Sequence, residues 1–235
     1  MGDSEMEYTE SIEPITIDSS EVQPLKEYLL HKKGYLIVKR LIDIVGSIFG
    51  VILTIPFIFV VGLAIKLEAK SLKAKVFFVQ ERVGKDGKLF KMIKFRSMQE
   101  DAEEQLKNLL HKNEVKGAMF KMKNDPRVTR VGKFIRKTSI DELPQFFNVL
   151  IGDMSLVGPR PPLMREVVQY SEMDKARLLV KPGITGLWQV TVRNNADFDM
   201  MVKLDLKYIE SLCFSKDITI LMNTILAVIH PNGAY

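Results

Sequence analysis

The chain has 235 residues, 46% of them hydrophobic and 27% charged, which suits one folded domain or a small pair and excludes a wholly disordered chain and a polytopic membrane protein. Lys and Arg number 34 against 29 acids, a net charge of +5 that favours an anionic partner: nucleic acid, a phosphorylated substrate or anionic lipid. One cysteine, Cys213, excludes an internal disulfide and any multi-cysteine metal site, and the three isolated histidines, His31, His111 and His230, argue against a zinc hydrolase or a Ser-His-Asp triad.

Residues 1–24 carry Asp3, Glu5, Glu7, Glu10, Glu13 and Asp18 with scattered Ser and Thr and no apolar period, and read as a mobile tail. A signal peptide needs a basic start and an early apolar core. This start is acidic and the first long apolar run begins near Leu41, so the run is expected to be retained.

Between 41 and 65 Asp43 is the only charge, and about 25 residues at ~1.5 Å each suffice to cross a bilayer. Pro56 near the middle removes an intrahelical hydrogen bond. Lys32, Lys33, Lys39 and Arg40 precede the run, and Lys66, Lys70, Lys73 and Lys75 follow it. Such balanced flanks do not orient a spanning helix and suit a segment with both ends inside. Each arm beside Pro56 is ~15 residues or fewer, roughly 22 Å, too short for a ~30 Å hydrocarbon core. A re-entrant helical hairpin is favoured, with a kinked spanning helix or a buried core helix as alternatives.

Residues 76–83 and 88–95 read as two strands joined by Gly84-Lys85-Asp86-Gly87, since Asp-Gly supplies the positive φ of a tight turn. Residues 100–113 form an amphipathic helix with Leu106, Leu109 and Leu110 on one side. Arg127, Arg130, Lys133 and Arg136 recur at three-residue spacing as a basic stripe, the usual mark of a solvated face. Gly158-Pro159-Arg160-Pro161-Pro162 and Lys181-Pro182-Gly183 read as loops, and the apolar stretch 218–229 is too short to span, hence a core or an interfacial helix.

The most suggestive local feature is Ser139-Ile140-Asp141-Glu142-Leu143-Pro144. Ser139 and Glu142 have the spacing of a capping box. The same physics permits chemistry: a carboxylate at a helix start stays ionised, and beside cations it can attack phosphorus while a neighbouring carboxylate holds magnesium.

Lys94-Phe95-Arg96-Ser97-Met98, Asp125-Pro126-Arg127-Val128-Thr129, Arg136 through Gln145, Asn148-Val149-Leu150, Gly152 through Pro161, and Lys181-Pro182-Gly183-Ile184-Thr185-Gly186 together resemble the bacterial sugar transferase family, the monotopic polyprenyl-phosphate glycosyl-1-phosphate transferases. The resemblance covers about 39–235 in the right order and spacing. It implies that Asp141 is the nucleophile that takes a sugar-1-phosphate from a nucleoside diphosphate sugar, uridine being the expected base, and that Glu142 completes the dyad as a magnesium ligand. It also implies that Arg160 faces the nucleotide, that Lys94, Arg96 and Arg136 line the phosphate site, that Asp217 is a further active-site carboxylate sharing the Mg2+ with Glu142, and that Pro56 breaks a re-entrant membrane helix.

Three departures stand out. Thr191-Val192-Arg193 follows Val190 where the family runs Asn or Ser, Gly, Arg; Leu178 and Lys181 replace the expected His and Arg; and Thr54-Ile55-Pro56 lacks the Ser directly before Pro. None touches the dyad.

The expected architecture is a small helix-rich α/β catalytic domain with an N-terminal re-entrant hairpin and interfacial helices, without the separate membrane bundle of longer relatives. Its divisions are an acidic tail and basic lead-in (1–38), the membrane segment (39–75) and the transferase domain (76–235). On this reading the chain works at the cytoplasmic face of a bacterial membrane, acting on polyprenyl phosphate, with homo-oligomerisation left open. A non-catalytic membrane-docked scaffold is the alternative. A nucleic-acid module is not expected, since no recognisable module and no interleaved aromatics accompany the basic stripe.

Overall fold

The computed structural model describes residues 15, 17, 19–114, 120, 122–192 and 197–229; the expectations for residues 1–14 and for Arg193 lie outside them. Helix α1 (Gln23–His31) leads into α2 (Lys33–Glu68), followed by strands β1 (Phe77–Val83) and β2 (Leu89–Phe95), then α3 (Ala102–Leu109) and α4 (Arg130–Lys137). The second half runs α5 (Gln145–Ile151), β3 (Ser155–Val157), α6 (Met164–Val167), α7 (Glu172–Lys175), β4 (Gly183–Thr185), α8 (Leu187–Thr191), α9 (Phe198–Ile209) and α10 (Phe214–Ile229). The helix-rich α/β class expected from the sequence is the class observed.

β1 and β2 pair antiparallel from Phe77 opposite Phe95 to Val83 opposite Leu89. The tight connection works because Asp86 and Gly87 both take positive φ, 56° and 75°. β3 and β4 form a separate parallel pair that the sequence reading did not assign, having read only the adjoining segments 158–162 and 181–183 as loops; each strand is only three residues long and sits among Gly and Pro. Close backbone approach makes this pair: a Cβ on Gly183 would lie 2.1 Å from Gly158 N, so only glycine lets the two segments meet.

α2 departs from the expected hairpin. Its 36 residues form one helix with Pro56 inside it and no turn between two arms. At ~1.5 Å per residue it is about 54 Å long, long and apolar enough to cross a membrane by length and composition. One stripe of it nevertheless packs on the rest of the protein along its whole length, on both sides of Pro56. Tyr35 and Lys39 reach α10, Arg40 donates to Val149 O and Leu150 O at the end of α5, and Asp43 accepts from Ser155 Oγ and Leu156 N. Further on, Gly50 lies against Phe146, Thr54 Oγ1 is 3.3 Å from Leu143 O, and Val61 and Ile65 join Phe95 and Ile135 in a core cluster. The opposite stripe, including Leu41, Val45, Phe49, Phe59, Leu63 and Leu67, is exposed. Asp43, the lone charge of the apolar run, thus serves the contact with β3 and is buried there.

The main core gathers Met92, Val149, Met154, Val157, Tyr208, Ile209 and Ile220 between the hairpin, α5 and the two C-terminal helices. The tail reading needs correction where it can be tested. Val22 is 1% exposed, and Ile15 and Ile17 pack beside Val83, Tyr170 and Leu178, so these residues belong to the folded body. α10 buries Ile220 but exposes Ile218, Met222, Ile225, Leu226 and Ile229, leaving an apolar outer face.

Candidate active site

The site starts at the end of β2. Lys94 and Arg96 lie two residues apart and so share a face of the extended chain. α4 is brought hard against this end by Gly132, where a Cβ would sit 1.9 Å from Ser97 O. Its first turn is closed by Thr129 Oγ1, which accepts from Gly132 N at 2.9 Å, and by the Glu68 carboxylate, which accepts from Arg130 N and Val131 N at 2.7 and 3.1 Å. Thus held, α4 presents Arg136, whose Nε donates to Ser97 Oγ at 2.8 Å.

The four basic residues read as one solvated stripe are split by this packing. Arg130 and Lys133 are exposed, whereas Arg127 is buried in an ion pair with Asp125 at 2.6 Å and Arg136 turns toward the site.

Ser139 ends the helix by adopting a left-handed conformation, φ 55° and ψ 16°, and the chain enters a single 3-10 turn over Ile140–Glu142. The expected capping box is therefore not formed. An N-cap residue needs extended φ and ψ for its side chain to reach the next turn, and the Ser139 hydroxyl makes no such bond. Glu142 instead accepts from Lys94 Nζ at 2.6 Å.

Asp141 is 9% exposed, and no described side chain donates a hydrogen bond to its carboxylate. Burial first, and then the negative charge of Glu142, push its pKa up to about 6 against the opposing pull of Lys94 and Arg136. Behind the dyad, Asn148 of α5 fixes the spacing to β2: its Nδ2 donates to Lys91 O at 2.7 Å and its Oδ1 accepts from Ile93 N at 3.0 Å.

The structure therefore brings Lys94, Arg136, Asp141 and Glu142 together, with Arg96 on the adjoining strand end beside Glu100 at 3.1 Å. Arg160 follows β3 in the Gly-Pro-Arg-Pro-Pro loop, its nearest carboxylate Glu166 at 3.3 Å.

Asp217 does not join them. Its oxygens accept from Tyr35 Oη at 2.5 Å, Lys39 Nζ at 3.0 Å and Tyr208 Oη at 2.7 Å. The Asp217 cluster meets α2 at Lys39, whereas the dyad meets it beside Thr54. Those positions are roughly 22 Å apart along a helix, so the expected sharing of one metal ion by Asp217 and Glu142 is corrected: Asp217 ties the start of α2 to α9 and α10.

Sequence reasoning missed Asn148, Glu68, Arg82, Arg177 and Asp205. Asn148 lies within a quoted motif without any distinguishing local signal. Arg177 and Asp205 form an ion pair in which both side chains are 1% exposed, a partnership that no local spacing announces.

A nearly buried carboxylate, free of hydrogen-bonding side chains and flanked by two cations and a second acid, suits attack on an electrophilic phosphorus whose oxygens those cations neutralise. The sequence model of the bacterial sugar transferase family matches residues 34–231 and so contains every one of these groups. The chain belongs to the bacterial sugar transferase family. Curated relatives of this sugar transferase include a galactosyl transferase, CpsE, of Streptococcus agalactiae, 50% identical over 206 residues that make up 87% of this chain and 45% of that protein. An undecaprenyl-phosphate galactose phosphotransferase of Salmonella typhimurium is 43% identical over 224 residues, 93% of this chain and 46% of that protein. The exopolysaccharide production protein ExoY of Rhizobium meliloti is 36% identical over 201 residues, covering 84% and 88% of the two chains. The sugar transferase chain thus spans about half the length of the first two relatives and most of the third.

Proposed function

We propose that this chain transfers a sugar-1-phosphate from a nucleoside diphosphate sugar, with uridine as the base, to undecaprenyl phosphate, the initiating step of a bacterial surface polysaccharide. The observation that carries the reading is Asp141 itself: nearly buried, without a hydrogen-bonding side-chain partner, and flanked by Lys94, Arg136 and Glu142 inside the region matched by the family. The names of relatives point to the same lipid carrier and to galactose and N-acetylgalactosamine donors.

In the first step Asp141 Oδ bonds to the β-phosphorus of the donor, and the bond from that phosphorus to the bridging oxygen breaks, releasing the nucleoside monophosphate. In the second, an oxygen of the lipid phosphate attacks the same phosphorus and the Asp141 carboxylate leaves, giving the polyprenyl diphosphate sugar. Lys94 and Arg136 offset the negative charge that gathers on the phosphoryl oxygens in each step.

Magnesium commonly binds through one or two carboxylates together with substrate phosphates. Asp141 and Glu142, adjacent in one turn, offer carboxylates of the kind such a mode uses. Glu142 would hold the ion, which supplies charge neutralisation at the donor's phosphates.

Membrane attachment from one side is part of the proposal. Both ends of α2 contact the same body, at Asp217 and at the first turn of α4, and its middle packs on Phe146 and Leu143. A helix crossing the bilayer is surrounded by lipid at that point. Lying instead in the cytoplasmic leaflet, α2 and the outer face of α10 bury their exposed apolar residues while the charged loops stay in water.

Incubation with donor labelled in the β-phosphate, without lipid, is expected to leave label on the wild-type protein and none on Asp141→Asn. Absence of a trapped intermediate, with rates that demand a ternary complex, would overturn the covalent reading.

A further inference from the structure

The loop Gly158-Pro159-Arg160-Pro161-Pro162 contains three prolines, which have no N–H to give. It is a strip of carbonyls that needs donors from elsewhere, and four of them are met from β1, from β4 and from Arg177. Pro159 O accepts from Gly183 N at 2.8 Å, and Pro162 O accepts from Val83 N at 2.9 Å. Between them, Arg160 O accepts from Arg177 Nη2 at 3.3 Å and Pro161 O from Arg82 Nη1 at 2.9 Å. Two buried guanidinium groups therefore hold the residues around Arg160.

The two struts differ in charge balance. Arg177 is neutralised by Asp205 at 2.6 Å. Arg82 is 8% exposed, forms no ion pair among the described residues, and binds only Pro161 O and the amide oxygen of Gln80, leaving its Nε buried without a partner. Burial, and next the nearby Arg160 charge, pull its pKa down to about 9, against the smaller opposing effect of Glu166. A positive charge hidden in this way, next to a second arginine that opens to solvent, is balanced best by an arriving anion.

We propose that Arg82 is a positioning residue of the transfer site, fixing the Pro-Arg-Pro loop so that Arg160 meets the diphosphate of the nucleotide sugar. The inference rests on the functional reading above. It adds a residue to the donor site and states how that residue acts.

Full-length protein in detergent micelles is assayed with UDP-galactose and undecaprenyl phosphate for wild type, Arg82→Lys, Arg82→Met, Arg160→Ala and the double variant Arg82→Met/Arg160→Ala. Arg82→Met is expected to raise KM for the donor at least 10-fold with kcat within about 3-fold, and to melt no lower than wild type, since it removes a buried unpaired charge. The double variant is expected to be no worse than Arg160→Ala alone, because one residue acts through the other. An unchanged KM, or effects that simply multiply, overturns the proposal. If Arg82→Met does not fold, Arg82→Lys, which keeps the charge but not the planar fork, carries the same test with a smaller rise.

A wild type inactive with a panel of UDP-sugars that includes UDP-galactose and UDP-N-acetylgalactosamine counts against the functional reading, and amide exchange then decides the inference without substrate. The Gly183 amide, which reports on Pro159 O at the far side of the loop, exchanges faster in Arg82→Met if the strut is real. Unchanged exchange overturns it.

Discussion

Lys94 Nζ lies 2.6 Å from Glu142 Oε1, so the acid beside Asp141 is balanced by a lysine from the preceding strand. The pair bears on Asp141 from both directions: Glu142 pushes its pKa up and Lys94 pulls it down.

This gives a pH prediction with a definite sign. On the proposed mechanism Asp141 attacks as its anion, and burial and Glu142 push its pKa up to about 6, so nucleotide release in the first half-reaction is expected to rise as pH increases through about that value. Lys94→Met removes the cation that favours the charged form and moves the acid limb to higher pH. Glu142→Gln removes the repelling charge and moves it lower. Stopped-flow release measured between pH 5 and 8 checks both directions, and shifts of the opposite sign remove these residues from the electrostatics of Asp141.

The same raised pKa predicts that function is maintained against stability. Because the folded value of about 6 exceeds the ordinary 3.8, Asp141 supports the fold fully below about pH 4 and loses that contribution as pH rises through 6. Asp141→Asn never ionises. It is expected to be more stable than wild type at pH 8 by on the order of 1–3 kcal/mol, a few degrees in Tm, with the gain gone by pH 4. Thermal melts across that range test it; a variant less stable at every pH points to a structural role for the carboxylate.

Gly132 is predicted to be irreplaceable. A Cβ at 1.9 Å from Ser97 O forces α4 away from β2, which separates Arg136 from Ser97. Gly132→Ala is expected to lose about 3 kcal/mol of stability and most transferase activity, whereas Lys133→Ala, on the exposed side of the same helix, changes stability by less than ~0.5 kcal/mol. Chemical denaturation of the two variants makes the comparison.

For topology, single cysteines at Lys33 and Lys75 in a Cys213→Ser background are expected to label only from the cytoplasmic side of intact cells. Both ends of α2 sit on one body, and the basic flanks agree. Labelling from opposite sides would establish a spanning helix. Pro56→Leu, which restores the missing donor, is expected to strengthen any tendency to cross.

Local chemistry made some of this legible. Asp86-Gly87 announced its turn, and the charge-poor run around Pro56 announced a membrane-seeking helix. Asp141 and Glu142 stood out because the motifs around them, from Lys94 to Pro161, carry the family resemblance without a noted departure. What could not be read depends on partners distant in sequence. Ser139 has the letters of a cap but the wrong backbone, and Thr129 does the capping. Asp217 has the letters of a metal ligand but faces two tyrosines and a lysine. Arg82 looks like any strand-surface arginine until the carbonyl of Pro161 is found beneath it. The three prolines were the available clue, since a loop without donors must borrow them.

The bond between Thr54 and the carbonyl of Leu143 fastens the dyad's turn to the midpoint of α2. For a helix lodged in one leaflet, as proposed, that fastening would set the depth at which phosphorus changes hands. On the proposed function the two reactants would arrive by different kinds of search: the water-soluble donor from three dimensions and the lipid carrier from two, gliding within its own layer. The carrier would then not have to be lifted out of the bilayer to be used, and its surface density, rather than its bulk concentration, would govern the second half of the proposed reaction.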